Sequence, residues 1–450
     1  MGKKRAYQPG YEKKFDKNNK PYWSKISSAK ELPDIQAYDS DYWDCPTVPA
    51  HIEIPHGSQK VVDCLQNMSD PLIVGGFVRD HVMKQSGYPM STSKDVDIEV
   101  HGGVTLNQIE KALRKEGFHV DSVGKSFGVL KVVSDGEDVD VSVPRRDSVA
   151  DTTGGRGRNI VADIDPTLDI WDASRRRDLT INAISYDHGR GVILDPYDGL
   201  QDIEDGVLHI VDPDTFVEDP LRALRLVQFS ARFDMQPSGE TLEICQNMDG
   251  SDLSEHRMRE EMTKWVRKSV NIHRGVETLH DIGWDDVIPG FVKNENNPVD
   301  QDLINKLNNY SGDASYAAVV AVLDHHYGNG SGQLGQSMYL TKVQRRLFRS
   351  LPLSQGDDVI QRSRMCRTLH DNGMDYHDVD TMCQAVGIQP AQHVWEGSPP
   401  AYVKPAQYLM DKGLQPSPLF AQVDKEVKNI QDSGGVINDK VLDDLIQKYF

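Results

Sequence analysis

The residues best placed to act together are the carboxylates of Lys94-Asp95-Val96-Asp97-Ile98-Glu99-Val100, where Asp95 and Asp97 stand two apart in an apolar, strand-like run. Residues i and i+2 of a strand point to the same face, so the two side chains converge. Paired like charges cost stability unless a cation neutralises them, and hard oxygen ligands suit magnesium or manganese. A third acid, Asp140, sits in another apolar run whose strand could lie beside the first. Three carboxylates meet the needs of two-metal phosphoryl transfer: one ion activates an attacking hydroxyl and the other holds a triphosphate. A solvent-facing acidic strand is the plainer alternative.

Ahead of these acids, Leu72-Ile73-Val74-Gly75-Gly76-Phe77-Val78-Arg79-Asp80 reads as a strand entering a helix through a double glycine. Glycines there let backbone N–H groups approach phosphate oxygens, and the helix N-terminus adds positive potential. A simple tight turn would also use them. After the acids, Arg175-Arg176-Arg177-Asp178 precedes Leu179-Thr180-Ile181-Asn182. Arg176 and Arg177 could reach triphosphate oxygens, with Asp178 and Asn182 free for ribose hydroxyls, although a basic surface turn would look alike. Glu218-Asp219-Pro220-Leu221-Arg222 follows, with Arg225 one turn on. Asp219 and Pro220 mark a helix start. Arg222, Arg225 and Arg232 fall within an arc of roughly 80° at ~100° per residue, a basic stripe suited to a phosphate or a base.

Elements able to position these groups can be read around them. Short apolar runs at 71–74, 96–100, 128–133 and 138–143 read as strands, and 77–84 and 106–116 as helices, which makes a mixed α/β domain. Residues 151–160 are rich in glycine and arginine and read as a flexible loop. Beyond 215 amphipathic segments dominate (219–234, 254–270, 274–283), so the rest should be helical, with a glycine-rich loop at 327–337. Before residue 50, prolines and polar residues predict little regular structure.

Composition bounds the partners. The net charge of −19 opposes broad polyanion binding, yet residues 1–30 hold nine Lys and Arg against two Asp and Glu, so this segment is +7 and the remainder −26. A solvated arm would have the same composition. Five cysteines without CxxC spacing read as thiols of a reducing compartment, not as a disulfide or zinc framework. No apolar run reaches the ~20 residues of a membrane span, and the first thirty residues lack a signal-type apolar stretch, so a soluble, cytoplasmic protein without a membrane partner is expected.

In this order, the double-glycine turn, the Asp95/Asp97 pair, Arg176-Arg177-Asp178-Leu179-Thr180 and the Glu218–Phe233 run resemble the class II tRNA nucleotidyltransferases, the bacterial and eukaryotic CCA-adding enzymes and their poly(A) polymerase relatives. The resemblance covers roughly residues 70 to 283. It implies an α+β protein: a polymerase-β-like nucleotidyltransferase head followed by an all-helical neck, body and tail. The expected division is a basic extension at 1–50, head 51–200, neck 201–272, body 273–400 and tail 401–450. It implies addition of CCA to tRNA 3′ ends from CTP and ATP with Mg2+ or Mn2+ on Asp95, Asp97 and Asp140. Poly(A) addition, or addition of C or A alone, is the alternative within the class. A non-catalytic RNA-binding chain is opposed by the cost of clustered acids without metal.

The same resemblance places Gly75, Gly76 and Arg79 near the triphosphate and Arg176, Arg177 and Asp178 at phosphate and ribose. Asp219 and Arg222, supported by Glu218, would select the base. Cytosine and adenine each present an amino donor beside a ring-nitrogen acceptor, which suits a carboxylate beside a guanidinium and mismatches uracil and guanine. A flexible loop at 151–170 is implied between the carboxylate strand and the arginine motif. Where the family has Ser-x-Glu-Arg, this chain has Ser254-Glu255-His256-Arg257, a departure that bears on local packing.

Overall fold

The computed structural model describes residues 11–15, 21–25, 43–89, 95–150, 159–251, 253–288, 290, 291, 304, 305, 312–328, 334, 338, 359–371 and 400–450. Two compact units divide the chain, Met1–Met258 and Arg259–Phe450.

An eight-stranded sheet organises the first unit. Its strands are β3 (Thr47–Pro49), β4 (Asp70–Val74), β5 (Val96–His101), β6 (His119–Asp121), β7 (Val129–Ser134), β8 (Glu137–Ser142), β11 (Ser185–Asp187) and β12 (Val192–Leu194). They lie in the order β3-β12-β11-β4-β5-β8-β7-β6. Only β5 and β8 pair in parallel; every other pairing is antiparallel. Helices α1 (His56–Gln66), α2 (Gly76–Gln85) and α3 (Leu106–Lys115) lie against these strands. Alternation in β5 explains the sidedness: Val96, Ile98 and Val100 are fully or almost fully buried on one face, while Asp97, Glu99 and His101 share the other. Gly57 at the start of α1 permits close packing, since a Cβ there would stand 2.3 Å from the Ser134 carbonyl oxygen.

The second face is closed at one end by α4 (Ile170–Arg175). Its Ile170 joins Leu72, Val74, Val192, Leu194 and Cys45 in a core, with Trp43 packed against it. Helix α5 (Gly199–Asp205), the short α6 (Pro213–Phe216), α7 (Leu221–Phe233) and α8 (Gly239–Gln246) follow in the first unit, and α9 runs from Glu255 to Lys268. The second unit contains helices at Ile272–Asp281, Gly312–Tyr327, Val359–His370, Ala406–Asp411, Pro418–Asp432 and Asp439–Tyr449. Leu409, Val423, Val427, Leu442 and Leu445 form one of its cores. Its buried Asp432 accepts from Arg364 Nε at 3.0 Å, Arg367 Nε at 3.1 Å and the Tyr402 hydroxyl at 2.8 Å. Such pairing offsets the desolvation of a fully buried carboxylate.

Three expectations need correction. Residues before 50 do contain strands: β1 (Tyr11–Phe15) pairs antiparallel with β2 (Pro21–Lys25), and β3 adds to the main sheet. Tyr11, Phe15, Tyr22 and Trp23 are strong strand formers, and Pro21 occupies the first strand position, where a missing N–H is tolerated. The segment 151–170 is not a loop throughout, because β10 (Asn159–Ile164) pairs with β9 (Arg145–Ala150). Of that expected loop, residues 151–158 lie outside the described residues, as does most of 327–337. Strand structure also recurs beyond 215, where β14 (Gln236–Pro237) pairs in parallel with β13 (Val207–Leu208).

Candidate active site

Gly75 carries φ +74°, a backbone state open to glycine, and a Cβ there would stand 3.4 Å from Arg177 Nη1 and 3.6 Å from Asp97 Oδ2. The turn, the arginine and the carboxylate, more than a hundred residues apart in sequence at their extremes, thus surround one small space. Strand pairing brings the turn and the acid together, since Val74 is the register partner of Asp97. Asp97 in turn faces Asp140 in the parallel pairing of β5 with β8. Desolvation raises the Asp97 carboxyl pKa above its usual value; Arg177 and Arg176 oppose the rise, and Asp140 and Asp95 add to it. Asp140 and Asp95 thus act on Asp97 as like charges do.

They are not gathered into a finished metal cradle. Asp95 and Asp97 are exposed, Asp95 just before the strand, and Asp140 lies 3.7 Å from Lys131 Nζ across the β7–β8 pairing. Among the described residues no three His, Cys, Asp or Glu side chains are grouped to hold a metal ion. An open donor set of one or two carboxylates still fits magnesium, which keeps waters and takes the rest of its oxygens from a substrate phosphate.

Sequence reading missed the anchor of the arginines. Glu99, next after Asp97 on the same face, is 2% exposed and accepts from Arg176 Nη2 at 2.6 Å, with Arg177 Nη2 at 3.9 Å. His101 Nε2 lies 3.3 Å from Glu99 Oε1, and Trp43 meets the His101 ring edge to face. Burial alone would raise the Glu99 pKa, but Arg176, His101 and Arg177 hold it far below the carboxylate range. Continuing the alternation one step, Asp97 to Glu99, was the signal available in the sequence.

Four expected ligand contacts are turned inward. Arg79 is 5% exposed, with Nε and Nη2 on Asp80 Oδ1 at 2.9 and 2.6 Å and Nη1 on Asn182 Oδ1 at 2.5 Å. Asn182 donates to Asp178 Oδ1 at 2.7 Å, and Arg225 Nε donates to Asp178 Oδ2 at 2.6 Å. Burial opposes ionisation of Asp178, yet Arg225 and Asn182 bring its pKa down to about 2. Arg232 reaches Asp80 at 3.1 Å, and the Arg79 guanidinium stacks over Phe229 and Phe233. Arg79, Asp178, Asn182 and Arg225 thus knit α2, the arginine segment and α7 together beneath the glycine turn. Gly76, the first residue of α2, remains at the turn.

The stripe on α7 is likewise engaged. Arg222 donates to the carbonyls of Thr215 and Arg176, both at 2.8 Å. Asp219 accepts from Leu221 N at 3.1 Å, as a helix-start residue should, and from both terminal nitrogens of Arg257 at 3.1 and 2.6 Å. Arg257, the position of the Ser254–Arg257 stretch that keeps the family's arginine, is the donor of this bidentate pair.

Residues 72–209 match the model described as Poly A polymerase head domain. That stretch, less than half of the chain, is similar to the head domain of poly A polymerases. A multifunctional CCA protein of Stenotrophomonas maltophilia is 35% identical over 216 residues, 46% of this chain and 48% of that protein. Its counterpart in Nitrosococcus oceani is 31% identical over 198 residues, 44% of each. The chain spans about half the length of the curated relatives it matches. The Bacillus stearothermophilus CCA-adding enzyme in complex with CTP aligns over 87% of this chain and 96% of its own, with TM-score 0.63 and 19% identity. The Thermotoga maritima CCA-adding enzyme complexed with tRNA aligns over 86% and 93%, with TM-score 0.54 and 18% identity. The likeness to these structures is one of fold: a mixed α/β head with a helical remainder.

Proposed function

We propose that this chain is a template-independent RNA nucleotidyltransferase that adds C, C and A to tRNA 3′ ends from CTP and ATP. The observation that carries the reading is the convergence of Gly75, Arg177 and Asp97 on one space, a phosphate-accepting turn and a cation beside a carboxylate with like-charged neighbours. Residues 51–200 serve as the catalytic head and 201–272 as the base-reading neck. The structural neighbours in complex with CTP and with tRNA support the substrate class.

In this reading Asp95 and Asp97, beside Asp140, would hold magnesium or manganese, which would supply activation of an attacking hydroxyl and charge neutralisation at the triphosphate. Gly75 and Gly76 let the triphosphate approach the backbone, and Arg176 and Arg177 meet its charge. Arg79, Asp178, Asn182 and Arg225 support that surface from below. Asp219 and Arg222 read the base by exchanging Arg257 and the two carbonyls for the amino and ring-nitrogen groups of cytosine or adenine. The test supplies each NTP singly with tRNAs ending before, within and after CCA, and sequences the 3′ ends. Ordered C, C, A addition that stops at completion is expected; a run of A on any end would support poly(A) addition instead.

A further inference from the structure

We infer that Glu99 is a positioning residue for triphosphate binding, holding Arg176 and Arg177 over the glycine turn. The inference rests on the nucleotidyl-transfer reading above. Two arginines adjacent in sequence repel, and burial together with the neighbouring Arg176 disfavours the charge on Arg177. Glu99 answers that repulsion: its Oε2 lies 2.6 Å from Arg176 and 3.9 Å from Arg177, on the face that carries Asp97 two residues earlier. Glu99 is itself fixed, because its strand pairs on both sides with Leu72 and Ser142 and His101 bonds its other oxygen.

Two further observations separate this from an ordinary buried ion pair. Arg177 Nη1 points toward the Gly75 turn, not into the core. Among the described residues the buried Nε of Arg176 has no hydrogen-bond partner, which leaves a donor for an anion. The Arg176 carbonyl also accepts from Arg222, so the same segment links phosphate and base sites.

The experiment measures equilibrium affinity for CTP, CMP and inorganic tripolyphosphate, together with KM and kcat for CTP, in wild type, Glu99→Gln and Glu99→Asp. Glu99→Gln should weaken CTP and tripolyphosphate binding about tenfold, leave CMP binding within about twofold, and raise KM more than it lowers kcat. Glu99→Asp keeps the charge and should recover most of the loss. Thermal melts confirm folding; should Glu99→Gln not fold, Glu99→Asp and Arg176→Lys are compared by the same CTP-to-CMP ratio. A folded variant with unchanged affinity for CTP and tripolyphosphate, or an equal loss for CMP, overturns the positioning role. Absence of CTP binding by wild type would instead overturn the nucleotidyl-transfer reading itself.

Discussion

At the scale of single residues, the site depends on what one atom can displace. Adding a methyl at Gly75 places carbon between Arg177 and Asp97 and asks an L residue to hold φ +74°. Gly75→Ala should cost about 1–3 kcal/mol of stability and weaken CTP binding; calorimetric titration and a thermal melt measure both. Asp97→Asn should abolish incorporation without lowering the melting temperature, because it removes a charge that its surroundings already disfavour. Near-normal magnesium-dependent incorporation would remove Asp97 from the reaction. The proposed base-reading pair gives a sharper outcome. Arg222→Ala breaks two hydrogen bonds to carbonyls, a loss of about 1.5–3 kcal/mol for a charged donor, and should also let UTP or GTP compete with CTP on a tRNA lacking CCA. Selectivity kept intact in the folded variant would reduce Arg222 to a brace between α7 and the arginine segment.

At the scale of elements, α5 offers a pH test independent of catalysis. Asp195 is 2% exposed and accepts from the N–H groups of Gly199 and Leu200, at 2.7 and 3.0 Å, which orients the start of the helix. Burial pushes its carboxyl up to about 7 against those bonds. A folded pKa above the unfolded value means the folded state holds the proton more tightly. The contribution is full below the usual carboxylate range and is lost as pH rises through about 7. Wild type should therefore lose melting temperature between pH 5 and pH 8, and Asp195→Asn should flatten that decline. Parallel curves would show that another group dominates. The α2–α7 contact is a second such device: Arg79 and Arg232 share Asp80 while stacking on Phe229 and Phe233, so Asp80→Ala should leave two buried guanidinium groups poorly compensated and lower stability by about 3–5 kcal/mol.

For the whole molecule, a net charge of −19 restrains any polyanion, and the +7 segment at residues 1–30 stands against it. Replacing its nine Lys and Arg by Gln should weaken tRNA binding and flatten the salt dependence, while CTP incorporation at saturating tRNA stays unchanged. Equal affinity and slope would show that phosphate contacts lie elsewhere. Among the described residues no helix is long and apolar enough to cross a membrane.

Local chemistry made much of this legible in the sequence. Alternation exposed β5 and β8, and the strand–glycine–helix order of 70–85 followed from propensity and turn geometry. The order of the motifs carried the resemblance. Partner choice was not legible, because a charged side chain carries no record of which distant atom it will meet. Arg79 and Arg177 look alike in the sequence, yet folding buries the first on Asp80 and Asn182 and leaves the second at the glycine turn. Glu99 reads as one more acid on an acidic strand until the arginine segment returns across the sheet face to meet it. Strand pairing decided these contacts: by setting Asp97 against Val74 and Asp140, it fixed which side of the sheet the remaining charges had to serve.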